Sequence, residues 1–82
     1  MTIIDVRSPQ EYKSGHAPNS LNIPLQEIPD RLTELKSLPT PLVLCCASGY
    51  RSEQATNYLK KQGIDCENGG TWGNVKQHNK QV

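Results

Sequence analysis

Three of the 82 residues are cysteines, and one of them, Cys46, stands where a thiol can do chemistry. It closes the run Leu42-Val43-Leu44-Cys45-Cys46 and is followed by Ala47-Ser48-Gly49-Tyr50-Arg51-Ser52. Small residues and a glycine allow a tight curve that turns successive backbone N–H groups inward. Such a nest, backed by a helix N-terminus carrying about half a positive charge, stabilises an anion. The anion is then the Cys46 thiolate and whatever it carries. Exposed thiols titrate near ~8.5, whereas those at helix starts or beside cations fall to roughly 3.5 to 7.5. Arg51 supplies a cation, which at a helix start opposes the dipole unless it serves an anion. A cysteine ending a strand can also be plain core. Cys45 fits that reading better, because adjacent strand residues point to opposite faces, and Cys66 fits it as a small core or edge residue.

The rest of the chain reads as the scaffold for that loop. Ile3-Ile4-Asp5-Val6 is a short apolar run suited to a buried strand, and Ser8-Pro9-Gln10-Glu11 is a capping box with proline at the first helical position. A short helix is expected from Pro9 to near Gly15. Leu21-Asn22-Ile23 is a weaker strand candidate between Pro18-Asn19 and Pro24. The stripe Leu25, Ile28, Leu32, Leu35 and Leu38 is helical, with Pro29 interrupting it, so a turn over Pro24 to Ile28 and a helix from Pro29 to Lys36 are expected. Leu42 to Cys46, apolar on both faces, has the character of a central parallel strand. Ser52 to Gln62 is helical and stops at Gly63. Ile64 to Glu67 is expected as a last strand, ended by Asn68-Gly69-Gly70, with a polar, weakly helical tail around Trp72. Strand and helix alternate about four times, which predicts an α/β fold: a small parallel sheet of about four strands with helices on both faces.

The composition bounds the function. A chain of 9.1 kDa with 34% hydrophobic residues supports one core, so one domain is expected over 1–82, with its core at 3–72 and a polar tail at 73–82. A net charge of +1 offers no basic face for nucleic acid. The longest apolar stretch, Leu42 to Ala47, is too short to span a bilayer, and the N-terminus has no signal-peptide character. A cytoplasmic protein is expected, with no membrane partner. An odd cysteine count argues against a paired disulfide framework. No Cys/His spacing matches a zinc site, and neither a metal nor a cofactor is expected.

The loop Cys46-Ala47-Ser48-Gly49-Tyr50-Arg51-Ser52 resembles the active-site loop of the rhodanese family, sulfurtransferases that carry a persulfide on cysteine. Other landmarks of that family follow in order: Ile4-Asp5-Val6-Arg7 with Glu11-Tyr12, Gly15-His16-Ala17-Pro18-Asn19-Ser20, Asn22-Ile23-Pro24 and Gly69-Gly70-Thr71-Trp72. The resemblance implies that Cys46 takes sulfane sulfur from thiosulfate or a persulfide donor and passes it to a thiol, cyanide or a protein acceptor. It implies that the amides of Ala47, Ser48, Gly49, Tyr50, Arg51 and Ser52, with the Arg51 side chain, hold the persulfide and the incoming anion. Asp5 and Arg7 read either as a strand-end ion pair or, as the resemblance implies, as a brace behind the site, with Arg7 adding positive charge. His16 reads as structural and His78 as solvated.

Two rivals to independent sulfur transfer stay open. Phosphatases and arsenate reductases of similar fold need five residues between cysteine and arginine for a tetrahedral oxyanion, and this chain has four. A rhodanese-like module that delivers sulfur or binds a partner without turnover is the other. The family usually has a further strand and helix before the "DVR" strand, while Met1 lies just ahead of it here. One sheet edge is therefore expected to be exposed at Ile64 to Glu67, covered by the tail, or used in a weak dimer, with monomer the other expected state. Asn19 occupies a place where glycine is common, which its tolerance of left-handed backbone angles allows.

Overall fold

In a computed structural model describing residues 1–75, the elements run β1 (Thr2–Asp5), α1 (Pro9–Ser14), β2 (Leu21–Asn22), a 3-10 helix (Leu25–Arg31), α2 (Leu32–Lys36), β3 (Leu42–Cys46), α3 (Tyr50–Lys61) and β4 (Cys66–Thr71). The four strands form one parallel sheet in the order β2-β1-β3-β4. The α/β architecture is therefore the expected one. His78 and most of the tail assigned to 73–82 lie outside the described residues.

The central strand β3 is buried along its whole length, and its side chains alternate between two cores. Leu42, Leu44 and Cys46 join Ile4, Val6, Ile28, Leu35, Ala55, Leu59 and Cys66 under α3, α2 and the 3-10 helix. Val43 and Cys45 join Ile3, Ala17 and Val75 on the other face, with Trp72 packed against them. A helical turn at 72–75 lies on that second face.

Several boundaries differ from the sequence expectation, each for a local reason. The turn expected over Pro24 to Ile28 is the first part of the 3-10 helix, which continues through Pro29 before α2 begins at Leu32. Its first turn closes from the Glu27 N–H to the Pro24 carbonyl, at 2.9 Å. Helix α3 begins at Tyr50, two residues earlier than expected, because Gly49 at φ 96° turns the chain sharply enough to serve as its N-cap.

The last strand also moves. Ile64 is the closing residue of a Schellman cap: its N–H reaches the Leu59 carbonyl at 3.1 Å, that of Gly63 reaches Lys60 at 3.0 Å, and Gly63 sits at φ 79°. Strand β4 starts after this cap and runs through Asn68-Gly69-Gly70, the segment expected to break the chain. The register jumps from Leu44↔Asn68 to Cys45↔Gly70, so Gly69 is the extra residue of a β-bulge. A Cβ at Gly69 would come within 2.7 Å of Val43 and Val75, and Gly70 takes φ 84°. Two glycines thus permit a strand to bulge where a longer side chain would collide. Among the described residues β4 pairs only with β3 and forms one edge of the sheet, with β2 at the other. Asn19 adopts the left-handed angle expected of it, φ 65°.

Candidate active site

Cys46 is the last residue of β3 and Gly49 the N-cap of α3, so the chain crosses from strand to helix in three residues. Helix N-termini leave their first amides without intrahelical partners. Here the cysteine sulfur takes that role: the Gly49 N–H donates to Sγ at 3.0 Å and the Ser52 N–H at 3.4 Å. The Ser52 hydroxyl lies 3.5 Å from Sγ. Burial pushes the Cys46 thiol up. The hydrogen-bonding contact with the Ser52 hydroxyl and the Ser52, Ser48 and Gly49 amides more than reverse this and leave it below the ordinary thiol value. Cys46 is fully buried whereas Ala47, Ser48 and Tyr50 are exposed, so the loop that solvates the sulfur also covers it.

Arg51 does face an anion, as the helix dipole requires, but that anion is Glu11. The guanidinium donates from Nη1 to Oε1 at 2.8 Å and from Nη2 to Oε2 at 2.9 Å, the two-pronged pairing that favours arginine over lysine. This pair raises the Arg51 pKa. With the Ser8 amide of the capping box it holds the Glu11 carboxyl down to about 2. Arg51 remains close enough to feel the charge on Cys46. The bonds that reach Sγ, however, come from the loop amides and Ser52.

Asp5 and Arg7 form a second, separate bracket. Asp5 is fully buried and Arg7 nearly so; Nε and Nη2 of Arg7 donate to the carboxylate at 2.8–3.0 Å, and Nη2 also reaches the Gly15 carbonyl at 2.7 Å. The guanidinium lies 5.0 Å from the centre of the Trp72 ring, a cation–π contact. Trp72 in turn lies 3.3 Å from where a Cβ would stand on Gly15. The expected positive charge of Arg7 is thus spent on Asp5, and the pair ties the end of β1 to the Gly15 turn and the closing Trp72. Cys45 lies beside this pair, and burial followed by the Asp5 charge pushes its thiol up to about 12. Burial likewise raises Cys66, whose Sγ lies 3.5 Å from the Thr56 carbonyl. His16 stacks on Tyr12 at 3.7 Å and bonds the Tyr12 carbonyl, a structural placement.

Two site residues escaped the sequence reading. Glu11 entered it as part of a capping box and a family signature, with nothing to connect it to a residue 40 positions later. Asn68 entered as part of a chain break. Its Oδ1 accepts from the Ser52 hydroxyl at 2.6 Å and from the Gly70 N–H at 3.0 Å, while its Nδ2 donates to the Gly49 carbonyl at 3.1 Å. Strand periodicity carried through Cys66 was the one available signal, since it puts residue 68 on the face of Cys46.

The rhodanese-like domain matches residues 1–73 of this sequence. The chain belongs to the rhodanese family. Among curated rhodanese relatives, a sulfurtransferase of Allochromatium vinosum is 39% identical over 61 residues, covering 74% of this chain and 56% of that protein. The thiosulfate sulfurtransferase GlpE of Pseudomonas syringae is 39% identical over 62 residues, 76% of this chain and 58% of its own length. The chain spans 34% to 56% of the length of the first three curated relatives it matches. Of solved rhodanese structures, a rhodanese-related protein from Thermoplasma volcanium superposes with a TM-score of 0.80 at 28% identity, over 95% of this chain and 77% of that one. A rhodanese with anions from E. coli gives 0.79 at 32% identity, over 89% and 88%. The sequence is thus a rhodanese-like domain with sulfurtransferase relatives. No helix among the described residues is long and apolar enough to cross a membrane.

Proposed function

We propose that this rhodanese domain is a thiosulfate sulfurtransferase that carries sulfane sulfur as a persulfide on Cys46. The observation that supports this is the cradle at Sγ: a buried cysteine that receives helix-start amides and contacts the Ser52 hydroxyl, with a thiol held below its ordinary value. The Cys46 thiolate attacks the outer sulfur of thiosulfate. A new S–S bond forms, the bond to the sulfite sulfur breaks, and sulfite leaves with the electron pair. The negative charge then resides on the terminal sulfur of the persulfide. Cyanide or a thiolate attacks that terminal sulfur, takes it as thiocyanate or a new persulfide, and returns the electron pair to Cys46. Each step moves one charge across two sulfur atoms, so donors aimed at the sulfur stabilise both ends of the transfer. A covered sulfur favours donors that present a single protruding sulfur atom.

Intact mass tests the reading directly. After thiosulfate the wild type should gain one sulfur atom and lose it to cyanide as thiocyanate, while Cys46→Ser should gain none. No gain on the wild type, or an equal gain on the variant, sinks the proposal.

A further inference from the structure

The Ser52 hydroxyl has one proton and three acceptors around it: Asn68 Oδ1 at 2.6 Å, the Gly49 carbonyl at 3.1 Å and Cys46 Sγ at 3.5 Å. A hydroxyl donates one bond and accepts through its lone pairs. The distances give the proton to Asn68 and turn an Oγ lone pair toward the sulfur. In that arrangement Ser52 accepts from the Cys46 thiol, and it must leave Asn68 to donate to the thiolate. Asn68 owes its place to the bulge: the register shift at Gly69 ends regular pairing just beyond it, and the Gly70 amide fixes its Oδ1. Its Nδ2 holds the Gly49 carbonyl, and so the loop that carries the Gly49 N–H.

We propose that Asn68 is a positioning residue that competes with the Cys46 sulfur for the Ser52 proton and thereby limits how strongly the cradle stabilises the thiolate. The proposal rests on Cys46 being the reactive thiol and goes beyond it by assigning a residue that sets its reactivity. Such a limit has a chemical use. Thiolate nucleophilicity falls as the thiol becomes more acidic, with a Brønsted coefficient of about 0.4–0.5, and the best attacking thiol titrates near the ambient pH. A cradle with every donor committed to sulfur gives more thiolate but a weaker nucleophile.

Arg51 of α3, paired with Glu11 of α1, and Cys45 of β3 couple electrostatically to Cys46, and Asp5 of β1, paired with Arg7, lies beside Cys45. Asn68→Ala leaves all of them in place, and loosening the Gly49 carbonyl would raise the midpoint, so a downward shift reports the hydroxyl. The experiment is the rate of Cys46 alkylation by iodoacetamide against pH, which uses no sulfur donor. Its outcome is therefore independent of whether thiosulfate loads the protein. In Asn68→Ala the midpoint should move to lower pH by about one unit, as the hydroxyl proton turns to the thiolate. The high-pH plateau should fall about threefold. Asn68→Asp, which restores the acceptor and adds a negative charge, should return the midpoint to the wild-type value or above it. In a Ser52→Ala background Asn68→Ala should have no effect on the midpoint. An unchanged or raised midpoint, or the same shift without Ser52, overturns the proposal. Asn68→Leu is read the same way, and failure of both apolar variants to fold would make Asn68 a structural residue and overturn it as well.

Discussion

Cys45 and Cys46 are neighbours in sequence, end the same strand and are both fully buried, yet the fold sends their thiols in opposite directions. The pleat is the cause. Cys46 points toward α3, whose first amides lack intrahelical acceptors, and its sulfur takes the Gly49 and Ser52 N–H bonds. Cys45 points to the second core, among Ile3, Ala17, Val43 and Val75, with the Asp5 carboxylate nearby. Burial raises both thiols; donors at the Cys46 sulfur reverse this, whereas the Asp5 charge raises Cys45 further. A buried cysteine is therefore no sign of inertness or of reactivity until the hydrogen bonds at its sulfur are known.

The comparison breaks most sharply by mutation of each cysteine. Cys46→Ser should abolish sulfur loading, whereas Cys45→Ala should keep it and lose about 1 kcal/mol of stability to a small cavity. Intact mass and thermal unfolding of the two variants check this, and loss of loading in both would remove the distinction between the faces.

Removing one donor should move Cys46 part of the way toward Cys45. Without the hydroxyl, Ser52→Ala should raise the alkylation midpoint by about one to two pH units. Labelling at neutral pH should slow by about three- to tenfold, because the lost thiolate fraction is partly offset by a roughly threefold gain in nucleophilicity per unit. An unchanged pH profile would leave the amides alone responsible for the low thiol value.

Alkaline stability should separate the neighbours by sign. The Cys45 thiol is raised from 9.0 to about 12 on folding, so the unfolded chain loses its proton first. Its contribution to stability should decline between pH 9 and 12, by at most ~1.4 kcal/mol per pH unit. Cys46, lowered on folding, contributes in the opposite sense as pH rises toward 9.0. Urea unfolding across this range should show a shallower alkaline decline in Cys45→Ala than in the wild type.

The smallest effect is at the rim of the site. The Glu11 carboxyl is lowered from 4.5 to about 2, so its pairing with Arg51 stabilises the fold above pH 4.5 and is lost as pH falls toward 2. Both side chains are about a third exposed, which screens the pair. Glu11→Gln should flatten the acid limb of the stability curve slightly while leaving the midpoint of Cys46 alkylation near its wild-type value. A large shift in that midpoint would mean that the pair reaches the sulfur more directly than the hydrogen bonds indicate.

What the amino-acid sequence determined by itself was local: an apolar run that must be a central strand, a glycine that must turn, a helix whose free amides need an acceptor, and a cysteine at the junction. The capping box at Ser8 and Glu11 was legible for the same reason, since both its bonds close within three residues. The separate faces of Cys45 and Cys46 followed from the pleat alone. The tertiary structure decided which partners the charged and polar groups of the site chose. Arg51 meets Glu11 across 40 residues, and Ser52 meets Asn68 across 16, through a bulge that two glycines permit. Spacing along a chain fixes what a helix or strand does to its own residues. Which side chains a parallel sheet brings side by side depends on strand order and register, which only packing of the whole chain sets.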